Sequence, residues 1–232
     1  MEQVHKYRFR VSDLCHFVLC PKRARIQCFD HPFEGTSGTP SIYQKKGIEL
    51  HEKYSSPYKN FESRHLKYLL EVKYGKTLSR TIKSGNMEIT VRGQFDDLFA
   101  LPIYNGGKVN GYKVRVTEYK TTSKSKFFTR DYLSGDYLSA TFQLELYLWI
   151  LEPCMKELGY VFSGRHFVEI SSQNDSKLLQ RIIIQHEDNM DKRIIRIVEA
   201  FQGLRSVTYP PDQVCKMCPR SVKVLCGRWK EA

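Results

Sequence analysis

The sequence contains no apolar run long enough to span a bilayer, and Glu-Gln-Val-His-Lys after Met1 lacks the apolar core of a secretory signal. These two absences argue against a membrane-spanning or exported chain and predict a soluble, cytoplasmic one. No internal repeat, low-complexity tract or linker divides the 232 residues, a length that suits a single domain over 1–232 with a substantial core. Acidic residues are in deficit. Only 25 Asp and Glu stand against 37 Lys and Arg, so the formal net charge is +12. That excess favours a polyanionic partner, most commonly the phosphate backbone of nucleic acid, although charge by itself decides neither fold nor reaction.

Seven cysteines are present, unevenly placed: Cys15, Cys20 and Cys28 lie early, Cys154 stands alone, and Cys215, Cys218 and Cys226 lie late. In a reducing compartment this layout points to a metal site rather than a disulfide framework. Cys215-Lys-Met-Cys218 forms a C-x-x-C clamp to which Cys226 adds a third thiolate, and the tail beyond Cys226 has no fourth ligand.

Pattern and punctuation predict the order helices, strands, helix, strands, helix, then a cysteine-bearing tail. Ser12 is placed to cap a first helix that turns Leu14, Phe17 and Val18 inward and ends near Pro21. Residues 30–41 read as a loop, and Ser41 opens a second helix through about Tyr54. Strands are predicted at Leu69–Tyr74, at Met87–Leu101 and at Gly111–Lys120, with Asn105-Gly106-Gly107 as the turn before the last. Asp136 starts a long helix stopped by Pro153. Strands follow at Tyr160–Ile170 and Leu178–Gln185, and an amphipathic helix at Asp188–Phe201. An α/β sandwich with a mixed sheet accommodates this order.

Chemistry concentrates at Val114-Arg-Val-Thr-Glu118-Tyr119-Lys120. Strand side chains alternate between faces, so Val114, Val116, Glu118 and Lys120 share one face, where a charged pair replaces apolar residues. Buried charge costs several kcal/mol unless paired or metal-bound, so such a strand usually ends in a site. Gly93-Gln-Phe-Asp96 lies one hairpin upstream. Adjacent strands would bring Asp96 to Glu118, and an oxygen-preferring divalent cation would relieve the repulsion of the two carboxylates. Lys120 would then stabilise a phosphorane-like transition state or orient the attacking water, the arrangement expected for metal-assisted phosphodiester hydrolysis. A turn carboxylate at Asp96 and a cross-strand ion pair between Glu118 and Lys120 are the structural alternatives. Asp97, one residue on, points to the opposite face and takes a structural role.

With Asp96 and Glu118-Tyr119-Lys120 as its motif, the sequence resembles the PD-(D/E)XK nuclease superfamily in its RecB-like branch. That branch adds a helix histidine, matched by Gly47-Ile-Glu-Leu-His51, and a Q-x-x-x-Y element, matched by Gln143-Leu-Glu-Leu-Tyr147. The resemblance implies a restriction-endonuclease-like core, a central mixed sheet flanked by helices. His51, Asp96, Glu118 and the Tyr119 carbonyl would ligate Mg²⁺ or Mn²⁺, while Gln143 and Tyr147 contact the DNA strand or brace the motif. Iron-sulfur members carry one cysteine near the N-terminus and three near the C-terminus, which implies a 4Fe-4S cluster on Cys20, Cys215, Cys218 and Cys226, joining 1–30 to 206–232. Zinc is the alternative, since spacing alone does not separate the two, and Cys15 or Cys28 could stand in for Cys20.

The activity implied is that of CRISPR-associated RecB-type exonucleases: metal-dependent cleavage of single-stranded DNA ends, 5′ to 3′, with CRISPR integrase subunits as partners. A stand-alone viral or plasmid recombination or repair nuclease, and a non-catalytic zinc-bound nucleic-acid-binding or scaffold module, are the competing readings. Lys22, Arg23 and Arg25, and Lys113, Arg115, Lys124, Lys126 and Arg130 around the motif strand, are expected to neutralise phosphates.

Overall fold

The computed structural model describes residues 4–26, 49, 60–122, 136–186, 188–202 and 226. Among these residues eight strands build two mixed sheets. In the first, β2 (Leu78–Ser84) and β3 (Met87–Gly93) form an antiparallel hairpin, and β1 (His5–Arg10) joins β3 in parallel. In the second, β4 (Asp97–Asn105) and β5 (Lys108–Thr122) are antiparallel, turning at Gly106 and Gly107. Both glycines have positive φ, the conformation that a two-residue hairpin turn demands. On its other edge β5 pairs in parallel with β6 (Val161–Phe162) and then with β7 (His166–Ser172), and β8 (Leu178–Ile184) closes that side antiparallel to β7.

Helix α4 (Asp136–Glu157) packs against strands of both sheets. Phe142, Leu144, Leu146, Leu148, Trp149, Ile150 and Leu151 are all buried, so the helix is apolar nearly all round, as a helix enclosed by other elements must be. Its polar positions carry partners: Glu145 pairs with Arg193 at 2.7 Å, and Glu152 with Arg80 at 2.7 Å. Around it lie α1 (Val11–Leu19), α2 (Pro21–Arg25) and α5 (Met190–Phe201), while α3 (Phe61–Tyr74) covers β4. The strongly amphipathic α5 buries Ile194, Ile197, Val198 and Phe201.

Four sequence expectations are corrected. Leu69–Tyr74 is the end of α3, not a strand: Ser63, Leu66 and Leu70 recur at helical spacing and are buried, and the Asn60 side chain caps the helix by accepting from Ser63 N–H at 2.8 Å. Met87–Leu101 is two strands in two different sheets, broken at Gln94-Phe95-Asp96. Pro153 lies inside α4, which continues to Glu157. Ser12 is not the cap of α1; Arg10 takes that position, with Asp13 Oδ2 accepting from the Arg10 N–H at 2.8 Å. The helix expected from Ser41 to Tyr54 lies outside the described residues, apart from helical Glu49. No described helix is long and apolar enough to cross a membrane.

Candidate active site

The break between β3 and β4 positions the first carboxylate. Asp97 pairs with Thr117 as the last rung of the β4–β5 ladder, so β5 runs on past the start of β4, paired there with β7 on its other edge. Asp96 fills the vacated edge, its Oδ2 accepting from Tyr119 N–H at 2.8 Å. A strand residue directs its N–H and C=O to the same edge, so the Tyr119 carbonyl is turned to Asp96 as well. Glu118 is 1% exposed. Lys120 Nζ donates to Glu118 Oε1 at 2.6 Å and to Gln143 Oε1 at 3.0 Å, and Gln143 Nε2 donates to the Tyr147 hydroxyl at 3.0 Å. Asp96, Glu118, Lys120, Gln143 and Tyr147 thus form one connected group between β5 and α4.

The electrostatics follow from burial. Desolvation is the largest influence on Glu118, and its carboxyl is pushed up to about 8; Lys120 pulls it down, and the neighbouring Asp96 pushes it up. Burial is the largest single influence on Lys120 and lowers it, but Glu118, with Asp96 and Cys15, raises it on balance. Tyr147 is also raised, chiefly by burial and then by Glu118. Two adjoining carboxyls, one raised by burial, cannot both ionise comfortably without an added positive charge.

A hard cation suits this need. Glu118 Oε2 is buried without a hydrogen-bond partner, a costly condition for a carboxylate and one that an oxygen-preferring cation resolves. Asp96, Glu118 and the Tyr119 carbonyl supply oxygen donors only, the chemistry that Mg²⁺ and Mn²⁺ prefer. Among the described residues no group of three His, Cys, Asp or Glu side chains converges, and the expected further ligand, His51, lies outside them.

Asp97 is fully buried and accepts from Leu98 N–H at 2.9 Å, and its pairing with Thr117 puts it on the face opposite Glu118. Arg115 also lies on that face and does not belong with phosphate-neutralising groups at the site: its guanidinium sits 4.8 Å from the Phe99 ring and 5.1 Å from the Phe167 ring. Alternation along β5 places it there, because odd-numbered residues oppose Glu118. Of the four cysteines expected to hold a cluster, Cys20 is buried with its Sγ accepting from Arg23 N–H at 3.4 Å, and Cys226 is half-buried. Cys215 and Cys218 lie outside the described residues, as do Cys28, Lys124, Lys126 and Arg130.

Two neighbours of the site escaped the sequence reading. A Cβ built on Gly93 would meet Val11 Cγ2 at 2.6 Å and Tyr147 Cε1 at 2.7 Å, so only glycine lets the Tyr147 ring lie against the end of β3. Its signal in the sequence is the glycine that opens Gly93-Gln-Phe-Asp96. Cys15 of α1 is buried beside Ser139, Lys120 and Glu118, and desolvation pushes its thiol up to about 12. It is a small core residue at the wall of the site.

The fold is similar to that in the crystal structure of SSO0001, with a TM-score of 0.55 and 18% identity over 95% of this chain and 87% of that one. No curated protein matches the chain significantly in sequence. Residues 9–226, which span every element of the site, match the PD-(D/E)XK nuclease superfamily, and the chain belongs to that superfamily of metal-dependent nucleic-acid hydrolases.

Proposed function

We propose that the protein is a DNA exonuclease of the RecB-like branch, degrading single-stranded ends 5′ to 3′ during CRISPR spacer acquisition beside integrase subunits. The observation that carries the nuclease reading is the convergence of Asp96, Glu118 and Lys120 on one point, with the Gln143–Tyr147 pair holding the lysine. Branch, polarity and pathway rest on similarity to RecB-type motifs, which a viral or plasmid recombination nuclease would share.

Asp96, Glu118, the Tyr119 carbonyl and His51 would hold Mg²⁺ or Mn²⁺, which when bound supplies Lewis-acid activation of the scissile phosphodiester. Lys120 contributes a fixed positive charge. An ammonium has three donors, and with two engaged by Glu118 and Gln143 the third is left for a phosphate oxygen as negative charge develops on it. Gln143 fixes where that ammonium sits, and Tyr147, wedged against Gly93, fixes Gln143.

Cys20, Cys215, Cys218 and Cys226 would hold a 4Fe-4S cluster joining segments 1–30 and 206–232 of one nuclease domain. Cys20 suits the role better than Cys15, because an N–H donor and the basic residues Lys22, Arg23 and Arg25 surround it, conditions that favour a thiolate. Closing a loop of roughly 200 residues in this way would contribute several kcal/mol.

One experiment with two readouts tests the proposal. Anaerobically purified protein should be brown, and Cys20→Ser should lose the visible absorbance; a colourless, folded, zinc-containing protein contradicts the cluster. The same preparation, given single-stranded and duplex DNA labelled at either end, should release the 5′ label first from single strands with Mn²⁺ or Mg²⁺. Cleavage unaffected by chelator, or confined to duplex, contradicts the reading.

A further inference from the structure

Helix α3 has two apolar faces, and only one is used. Ser63, Leu66 and Leu70 are buried against the body of the protein. On the opposite side Phe61, Tyr68 and Val72 are 72%, 63% and 65% exposed, and exposed His65 stacks on Phe61 with ring centroids 6.0 Å apart. The spacing 61, 65, 68, 72 alternates four and three residues, which is the seam of a two-helix contact. At 100° per residue these four positions cluster within about 60° of arc, on the side directly opposite the buried face. Scattered exposed apolar residues are ordinary, whereas a continuous seam along three turns of one helix is a binding feature.

We propose that this seam is the two-fold contact of a homodimer, in which α3 packs antiparallel against α3 of a second copy. The seam is self-complementary in that direction. A two-fold axis between His65 and Tyr68 sets Phe61 against Val72 of the second copy and His65 against Tyr68 of the second copy, so every large residue meets one of different shape. Charge selects the same direction. Arg64 and Glu71 lie along one flank of the seam, and neither forms an ion pair with any described residue. In an antiparallel pair like flanks meet, so Arg64 faces Glu71 of the second copy and Glu71 faces its Arg64, both pairs arising from one symmetric operation. A parallel pair would instead set that flank against the other one, where Leu69 offers no charge and Glu62 and Lys73 are already bonded to Tyr160 and Glu157.

The contact is short, at or below the lower end of stable interfaces, so the dimer should form in the micromolar range. Sedimentation of the full-length protein from about 1 to about 100 µM is expected to show a monomer–dimer equilibrium. Phe61→Asp should leave only monomer while keeping the wild-type thermal midpoint, since Phe61 is 72% exposed and its stacking partner His65 is itself at the surface. Arg64→Glu and Glu71→Arg should each raise the dissociation constant by about tenfold, because two like-charge pairs replace two opposite ones. The double variant R64E/E71R restores both pairs and should return the constant to near the wild-type value. A chain that stays monomeric throughout, as it would if the seam served a different protein or a lipid surface, overturns the proposal. So does a dimer indifferent to Phe61→Asp, or a double variant no better than the singles.

Discussion

The two faces of β5 carry charge in opposite ways. On the face toward α4, Glu118 is buried with one oxygen on Lys120 and the other without a hydrogen-bond partner, and its carboxyl is pushed up to about 8. On the far face, Arg115 is enclosed between the Phe99 and Phe167 rings, and Arg181 lies 5.0 Å from Phe167 while pairing with Glu169 at 2.7 Å. The far face has deficits and buried charge of its own: Arg115 Nε and Thr117 Oγ1 lack hydrogen bonds, and Asp97 is a second fully buried carboxylate, one oxygen of which accepts from Leu98 N–H. The Arg115 and Thr117 deficits are small, since an N–H over aromatic faces or a neutral hydroxyl costs much less to bury than a carboxylate oxygen. What sets the first face apart is not buried charge alone but the convergence of Asp96, Lys120 and Gln143 around Glu118.

The sharpest way to break this contrast is to alter the carboxylates. Asp96→Asn should lower single-stranded DNA cleavage on the order of a thousandfold, measured as initial rates with saturating Mn²⁺. Lys120→Met should cost roughly a hundredfold, with the affinity for DNA changed only a few-fold, because one positioned charge is lost among many basic groups. An unchanged rate in either variant removes that side chain from the site.

His166 tests the packing that holds the two halves of the β5 edge together. Its Nδ1 accepts from Val116 N–H at 3.1 Å, between the rungs to β6 and to β7, and burial lowers its pKa from 6.5 to about 4. The neutral form is the one that folds. Its contribution is thus complete above pH 6.5 and is lost as the pH falls towards 4, amounting to about 3 kcal/mol. Denaturant unfolding at stepped pH should show this decline, and His166→Gln should flatten that part of the profile.

Gly93→Ala should destabilise by about 2 kcal/mol and lower cleavage as well, through displaced Tyr147. Adding Val11→Ala should recover part of the stability but not the rate, since the contact with Tyr147 remains. The smallest effect belongs to the far face: Arg115→Met should cost about 1 kcal/mol in thermal unfolding and leave cleavage near wild type. A large loss of activity there would erase the distinction between the faces.

Much of this site was legible because its parts are local. The alternation Val114, Val116, Glu118, Lys120 and the helical spacing of Gln143 and Tyr147 each report a shared face without knowledge of the fold. The Asn105-Gly106-Gly107 turn was equally plain. What was hidden depends on partners distant in sequence. Leu69–Tyr74 has the composition of a strand, and its helix is decided by an Asn60 cap and by burial against β4. Met87–Leu101 reads as one strand because nothing local announces that Gln94-Phe95-Asp96 passes from one sheet to another. The demand for glycine at 93 comes from Val11 and Tyr147, neither adjacent in the chain.

The central claim is that Glu118 is held unsatisfied for a metal ion and not for stability. Glu118→Gln keeps the size and removes the charge, so cleavage and binding of one labelled single-stranded DNA, assayed together in Mn²⁺, test it most directly. The predicted result is cleavage reduced on the order of a thousandfold, with DNA affinity retained and folding intact or improved. Wild-type cleavage by the folded variant would contradict it.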